Sequence, residues 1–182
     1  ISVKNPYISD AFVLRYLDFF PPGSLRDKHI VVYQHSSLLR DILPEILEGL
    51  EAKVTKVGYA DEFVAVDTES LSPKDFELAK ELVRDYKPDA IMSSDGDGDR
   101  PLLFDEKGNV IRGDTLGMLA ALYLNANSVS ATISCSTALE KIGRFGSIKR
   151  TKIGSPYVIE GMNDDLGRGF NRVVSYEANG GF

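Results

Sequence analysis

Short runs of β-branched and aliphatic residues that alternate with amphipathic helical patterns limit what this chain can become. Residues 30–33, 53–57 and 90–93 read as buried strands. Between the first two, residues 41–50 set Ile42, Leu43, Ile46, Leu47 and Leu50 on one helical face. Before the third, Ser72-Pro73-Lys74-Asp75 has the marks of a helix start: a serine N-cap, proline at the first helical position and an acid three residues after the cap. That helix is expected to turn Phe76, Leu78, Ala79, Leu82 and Val83 inward and to stop at Tyr86-Lys87-Pro88. A further helix is expected from about Asp10 to Phe19, ended by Pro21-Pro22. Strands alternating with helices imply a mostly parallel sheet, because a parallel pair needs a long crossover.

The pattern then repeats. Residues 102–104 and 110–112 flank Asp105-Glu106-Lys107-Gly108-Asn109, a hairpin signal. After it come helix 115–124, strand 129–133, helix 138–145, strand 147–150, helix 157–166 and strand 172–176. The expected fold class is α/β, as two consecutive small α/β sandwich domains with mixed, mostly parallel sheets, residues 1–110 and 111–182.

A net charge of -6 and a pI near 5.0 argue against a nucleic-acid surface and against an anionic membrane surface. No apolar run is long enough to span a bilayer, and no charged-then-apolar leader is visible. The single cysteine, Cys135, has no partner for an internal disulfide, which fits a reducing, cytoplasmic compartment. The chain starts at Ile1 without methionine and stops at Gly181-Phe182, so a longer parent is expected.

Chemistry concentrates in Ser94-Asp95-Gly96-Asp97-Gly98-Asp99-Arg100. Alternate side chains of an extended backbone point the same way, so Asp95, Asp97 and Asp99 can converge. Three carboxylates so close repel one another unless a hard divalent cation, expected here to be Mg²⁺, lies between them. The loop follows a buried strand, where open α/β sheets place ligands. A solvated acidic turn is the plain alternative, but three aspartates in strict alternation are rare in turns. An EF-hand is excluded, since its sixth position, a glycine, is Arg100 here, and Pro101 follows. His35 follows the first strand and reads more readily as a structural hydrogen bonder than as a cleft residue. Cys135 reads as packing.

Asp95-Gly96-Asp97-Gly98-Asp99-Arg100 resembles the metal-binding loop of the α-D-phosphohexomutase superfamily. Thr151-Lys152-Ile153-Gly154-Ser155-Pro156-Tyr157 is similar to the loop that opens a helix in that family's third domain. Ser175-Tyr176-Glu177-Ala178-Asn179-Gly180-Gly181-Phe182 stands where the family has its sugar-recognition loop. The usual loop has glutamate, then serine, glycine and histidine; here Glu177 is kept, and Asn179 and Gly181 replace the serine and histidine. The resemblance covers the second and most of the third of four domains.

It implies a hexose phosphate substrate, a phosphoserine donor and a bisphosphate intermediate, with Mg²⁺ on Asp95, Asp97 and Asp99. It also implies that Arg100 adds a cation beside the transferring phosphate, that Lys152 acts as general base or phosphate contact, and that Glu177 and Asn179 bind sugar hydroxyls. The phosphoserine and phosphate-binding domains of the parent would be missing partners, and this chain alone is expected to be inactive. Two other classes are alternatives. One is a metal-binding, non-catalytic interaction module. The other is a haloacid-dehalogenase-type phosphatase, disfavoured because Tyr33-Gln34 stands where a nucleophilic aspartate is needed.

Overall fold

The computed structural model describes residues 6–182. The chain divides into two compact units: one takes residues up to 67 with 71–98 and 103–110, the other 68–70, 99–102 and 111–182.

The first unit is built on α1 (Pro6–Phe19), β1 (His29–His35), α2 (Ile42–Gly49), β2 (Lys53–Tyr59), α3 (Pro73–Tyr86) and β3 (Ala90–Ser94). With β4 (Pro101–Phe104) and β5 (Val110–Ile111), the strands form a five-stranded sheet in the order β2-β1-β3-β4-β5. The ladders on both sides of β1 are parallel, pairing Ile30 with Val54 and with Ala90. Hydrogen-bonded on both edges, β1 buries Ile30, Val31 and Val32, and so reads in sequence as a near-continuous apolar run.

Residues 53–57, expected to be a buried strand, are a correction. β2 lies at the sheet edge and is exposed or half-exposed along its whole length. Its lysines fit that place, since edge strands carry charge that discourages further pairing.

Helix α2 faces two ways. Leu47 joins Ile30, Val32 and Ala52 above the sheet, while Ile46 and Leu50 pack with Val13 of α1. Helix α3 begins with the expected capping box, Asp75 Oδ2 accepting the Ser72 N–H at 2.7 Å, and ends at Lys87 with φ 47. Ala79 and Leu82 of α3 are buried, but Phe76, expected inside, is 37% exposed. It sits in the first turn of α3, ahead of the buried pair. Helix α1 starts at Pro6, earlier than its apolar pattern implied.

The second unit contains α4 (Gly113–Tyr123), β6 (Ser128–Thr132), α5 (Ala138–Lys141), β7 (Ser147–Thr151), α6 (Ser155–Gly167) and β8 (Val173–Tyr176). Its sheet has the order β7-β6-β8, and both ladders are parallel. The sheets are thus mostly parallel, as the alternation required. Helix α5 is shorter than the expected 138–145, the chain passing through Gly143 at φ +63.

Every residue of β6 is buried. Val129 and Ala131 join Ala121, Cys135, Leu139 and Tyr176 in the apolar core. The other face of β6 is polar and meets α6. A Cβ on Gly161 would lie 2.5 Å from Ser130 Oγ, so the helix approaches as closely as it does only with glycine there.

On that face the buried Asp165 accepts hydrogen bonds from the Ser128 hydroxyl and, at 3.0 Å, the Ser147 hydroxyl. Arg168 Nη1 adds a charge-assisted contact at 2.9 Å. The Ser128 bond, helped by Ser147, Lys149 and Arg168, holds the carboxyl below the usual aspartate range against the opposing effect of burial. Among the described residues no helix is long and apolar enough to cross a membrane.

Replacing Asp165 with asparagine leaves the two serines and two cations without their shared anion. Urea unfolding at pH 7 should show a loss of about 2 kcal/mol. The folded pKa is depressed, so the carboxylate stabilises the fold above its unfolded pKa, and that contribution fades as pH falls through the folded value. The gap between wild type and Asp165→Asn should therefore narrow below about pH 4.

Candidate functional site

Strand β3 leaves the first sheet at Ser94, and the next residues turn at once. Asp95 Oδ1 accepts the Gly98 N–H at 3.0 Å, a local turn that Gly98 permits with φ +82. One carboxylate oxygen from each of Asp95, Asp97 and Asp99 lies within 4.8 Å of the others, with Asp95 half-buried and Asp97 and Asp99 exposed. Ligand oxygens sit about 2.0–2.6 Å from a bound Mg²⁺ or Ca²⁺, so two ligands of one ion are at most about 4–5 Å apart. The 4.8 Å bound on the triad lies within the span of Ca²⁺ and above the roughly 4.2 Å of Mg²⁺, which would need the loop to close slightly. Its donors are all carboxylate oxygens, the type a hard divalent cation takes. Arg100 supplies a nearby cation, with Nε 3.8 Å from Asp99 Oδ1.

In the second unit, Asp99 and Arg100 line a cleft of about 340 Å³ together with Ser155, Glu177, Asn179 and Gly181. The turn after β8 presents these last three. Glu177 N donates to Gly181 O at 3.0 Å, and Gly180 N donates to Glu177 O at 3.1 Å. Side chains tighten the same turn. Asn179 Oδ1 accepts the Gly181 N–H at 2.9 Å, and Glu177 Oε1 accepts the Gly154 N–H at 3.0 Å. Glu177 thus ties the turn to the loop that opens α6, keeping its second oxygen for another donor. Asn179 keeps its amide N–H groups in the same way.

The turn rests against the start of α4. A Cβ on Gly113 would lie 2.3 Å from Gly180 N and 2.6 Å from Ala178 O, so only glycine allows this approach.

Lys152 is elsewhere. Its side chain is exposed, the ammonium lies 5.4 Å from the Tyr157 ring centroid, and it is not among the residues lining the cleft. His35 is fully buried, and Nε2 donates to Ser94 O at 2.8 Å. Cys135 belongs to the core, where burial pushes its thiol up from the ordinary value.

Two residues that sequence reasoning passed over hold the loop after β6. Arg150 pairs with Glu140 at 2.7 Å and also donates to the carbonyls of Thr132, Cys135 and Ser136. The buried Asp114 accepts the Ser136 N–H at 2.8 Å. Asp114 stands in a helix first turn, an ordinary place for an acid. Its partner lies 22 residues further along, so no local pattern could disclose the role.

Residues 14–108 match the description "Phosphoglucomutase/phosphomannomutase, alpha/beta/alpha domain II", and residues 112–182 match "alpha/beta/alpha domain III" of the same family. A phosphomannomutase of Salmonella muenchen is 44% identical over 171 residues, covering 94% of this chain and 36% of that protein. One from Sinorhizobium fredii is 42% identical over 173 residues, covering 95% and 36%. A solved phosphoglucomutase/phosphomannomutase family protein of Burkholderia thailandensis has the same fold at TM-score 0.75 and 14% identity, over 95% of this chain and 38% of that one. The chain therefore spans about a third of the length of these relatives. By its match to both domains in order, this chain belongs to the phosphoglucomutase/phosphomannomutase family.

Proposed function

We propose that this chain is the metal-binding and sugar-recognising part of a phosphohexomutase, which interconverts hexose 1-phosphates and hexose 6-phosphates. A phosphoserine outside this sequence would be the phosphoryl donor, and a hexose bisphosphate the intermediate. The observation that carries the reading is the convergence of Asp95, Asp97 and Asp99 on a loop whose next residue, Arg100, lines the same cleft as Glu177 and Asn179. The names of the phosphomannomutase relatives support a hexose phosphate as substrate. The division at about residue 110 is proposed as the boundary between two domains.

Asp95, Asp97 and Asp99 are proposed to hold Mg²⁺, which when bound would offset negative charge on the phosphoryl oxygens. Arg100, always protonated, would orient a phosphoryl oxygen from the side of the cleft. Glu177 Oε2 would accept a hydrogen bond from a sugar hydroxyl, and the Asn179 amide would donate one. A sugar ring held at both points turns one of its phosphorylated ends toward Arg100, and rotation of the intermediate would present the other. Lys152, exposed at the loop before α6, is proposed as a phosphate contact or proton acceptor that engages once substrate fills the cleft. The phosphoserine and phosphate-binding domains are proposed as its partners within a longer chain. The lone buried Cys135 fits a cytoplasmic setting.

Calorimetric titration with Mg²⁺ tests the first step. Wild type should bind, and Asp97→Asn should lose at least about tenfold in affinity. Full affinity in the variant would remove the loop as the site. Titration of the Mg²⁺-loaded chain with glucose 1,6-bisphosphate tests the second step. Glu177→Gln and Arg100→Ala should each weaken binding about tenfold, and unchanged binding in both would sink the assignment of the cleft.

Gly113→Ala should displace the 177–181 turn, because the added Cβ meets backbone rather than a movable side chain. Its sugar-phosphate affinity should fall at least about tenfold while Mg²⁺ affinity stays near wild type.

A further inference from the structure

The metal loop is held by more than its own hydrogen bonds. Residues at the end of β1 and just after it hold two of its carbonyl oxygens directly and brace the donor to a third. His35 Nε2 donates to Ser94 O at 2.8 Å. Ser37 Oγ lies 2.6 Å from Ser94 Oγ, whose proton goes on to Asp95 O at 2.9 Å, so the hydroxyl of Ser37 is the donor to Ser94. Leu38 N donates to Gly96 O at 3.0 Å. The Leu39 side chain packs against Gly98, where a Cβ would lie 2.6 Å from Leu39 Cγ. The support is itself braced, since Leu39 N donates back to Ser37 Oγ at 3.0 Å.

His35 bears an evident cost for its place. It is fully buried at the end of β1, its φ is 32, and its Nδ1 is buried without a partner. A phenylalanine would fill the same space with no orphaned nitrogen. What phenylalanine lacks is the N–H that reaches Ser94 O, next to the first aspartate of the triad.

We propose that the segment from His35 to Leu39 is the support that fixes the metal loop, with His35 and Ser37 as positioning residues that keep the three carboxylates converged. The idea rests on the metal reading of Asp95, Asp97 and Asp99. Tying the Ser94 and Gly96 carbonyls directly, and that of Asp95 through Ser94, leaves the carboxylates to act from fixed backbone positions, so the ion meets a preformed site. Without the ties, binding must also order the loop, and affinity falls by the cost of that ordering. Neither residue belongs to the triad; His35 acts through the Ser94 carbonyl and Ser37 through the Ser94 hydroxyl, as outer-shell partners do at other metal sites.

Mg²⁺ calorimetry on the full chain, paired with thermal unfolding in the absence of metal, tests this. His35→Phe and Ser37→Ala should weaken Mg²⁺ binding by about tenfold or more, and His35→Gln, whose amide can reach the Ser94 carbonyl, should restore most of it. Val31→Ala, on the same buried strand but away from the loop, serves as the stability control. It should lower the unfolding temperature and leave Mg²⁺ affinity within about twofold of wild type.

Unchanged affinity in Ser37→Ala and in a folded His35→Phe, with binding lost in Asp97→Asn, would overturn the support while keeping the metal site. An equal loss in Val31→Ala, or a glutamine variant as weak as phenylalanine, would also overturn it. Failure of wild type to bind Mg²⁺, or full binding in Asp97→Asn, would remove the metal reading and this inference with it.

Discussion

A strand flanked on both edges by parallel partners has no free backbone to offer, and all three strands end in the same direction. β1 and β6 both have this status, one between β2 and β3, the other between β7 and β8. The arrangement buries the central strand and places the loops after neighbouring strands at one edge of the sheet. In the first unit this sets the segment after β1 beside the aspartate loop after β3. In the second it sets the loops after β6 and β7 and the turn after β8 at a common edge. The candidate chemistry lies in these loops, and the parallel ladders determine which of them are neighbours.

Parallel order brings the loops together but does not shape them. Their shape comes from hydrogen bonds to backbone, made by side chains from distant parts of the chain. Glu177 takes the Gly154 N–H, Asp114 takes the Ser136 N–H, and Arg150 gathers the last carbonyl of β6 and two in the loop after it. Buried backbone groups left unpaired would destabilise such loops, so each of these side chains both satisfies a polar group and fixes a geometry. Glycine makes the closest approaches possible. Gly113 lets the turn at Gly180 lie against α4, and Gly98 leaves room for Leu39.

The aspartate triad has a different physical logic. In the proposed metal site three carboxylates gather around one cation, and the fold has to keep them close. His35 holds the carbonyl of Ser94 and Leu38 that of Gly96, while Ser94 Oγ, bonded to Ser37, holds that of Asp95, and these ties keep the loop in place. Arg100 offsets part of the charge and extends the same stretch of chain to the cleft.

Most of the architecture was written locally in the residues. Periodicity placed α2, α3, β1, β3, β6 and β8 within a residue or two, because each has a buried face or a cap that its own segment encodes. The alternation of Asp95, Asp97 and Asp99 disclosed a potential metal loop for the same reason: convergence of nearby carboxylates is a local property. Only the tertiary structure decided that β2 is an edge strand, that Phe76 faces outward and that α5 stops early. It also decided which atoms Glu177, Asn179 and His35 engage and that Lys152 stands outside the cleft. Sheet position and side-chain partnership depend on residues tens of positions away, and no periodicity within a segment carries that information.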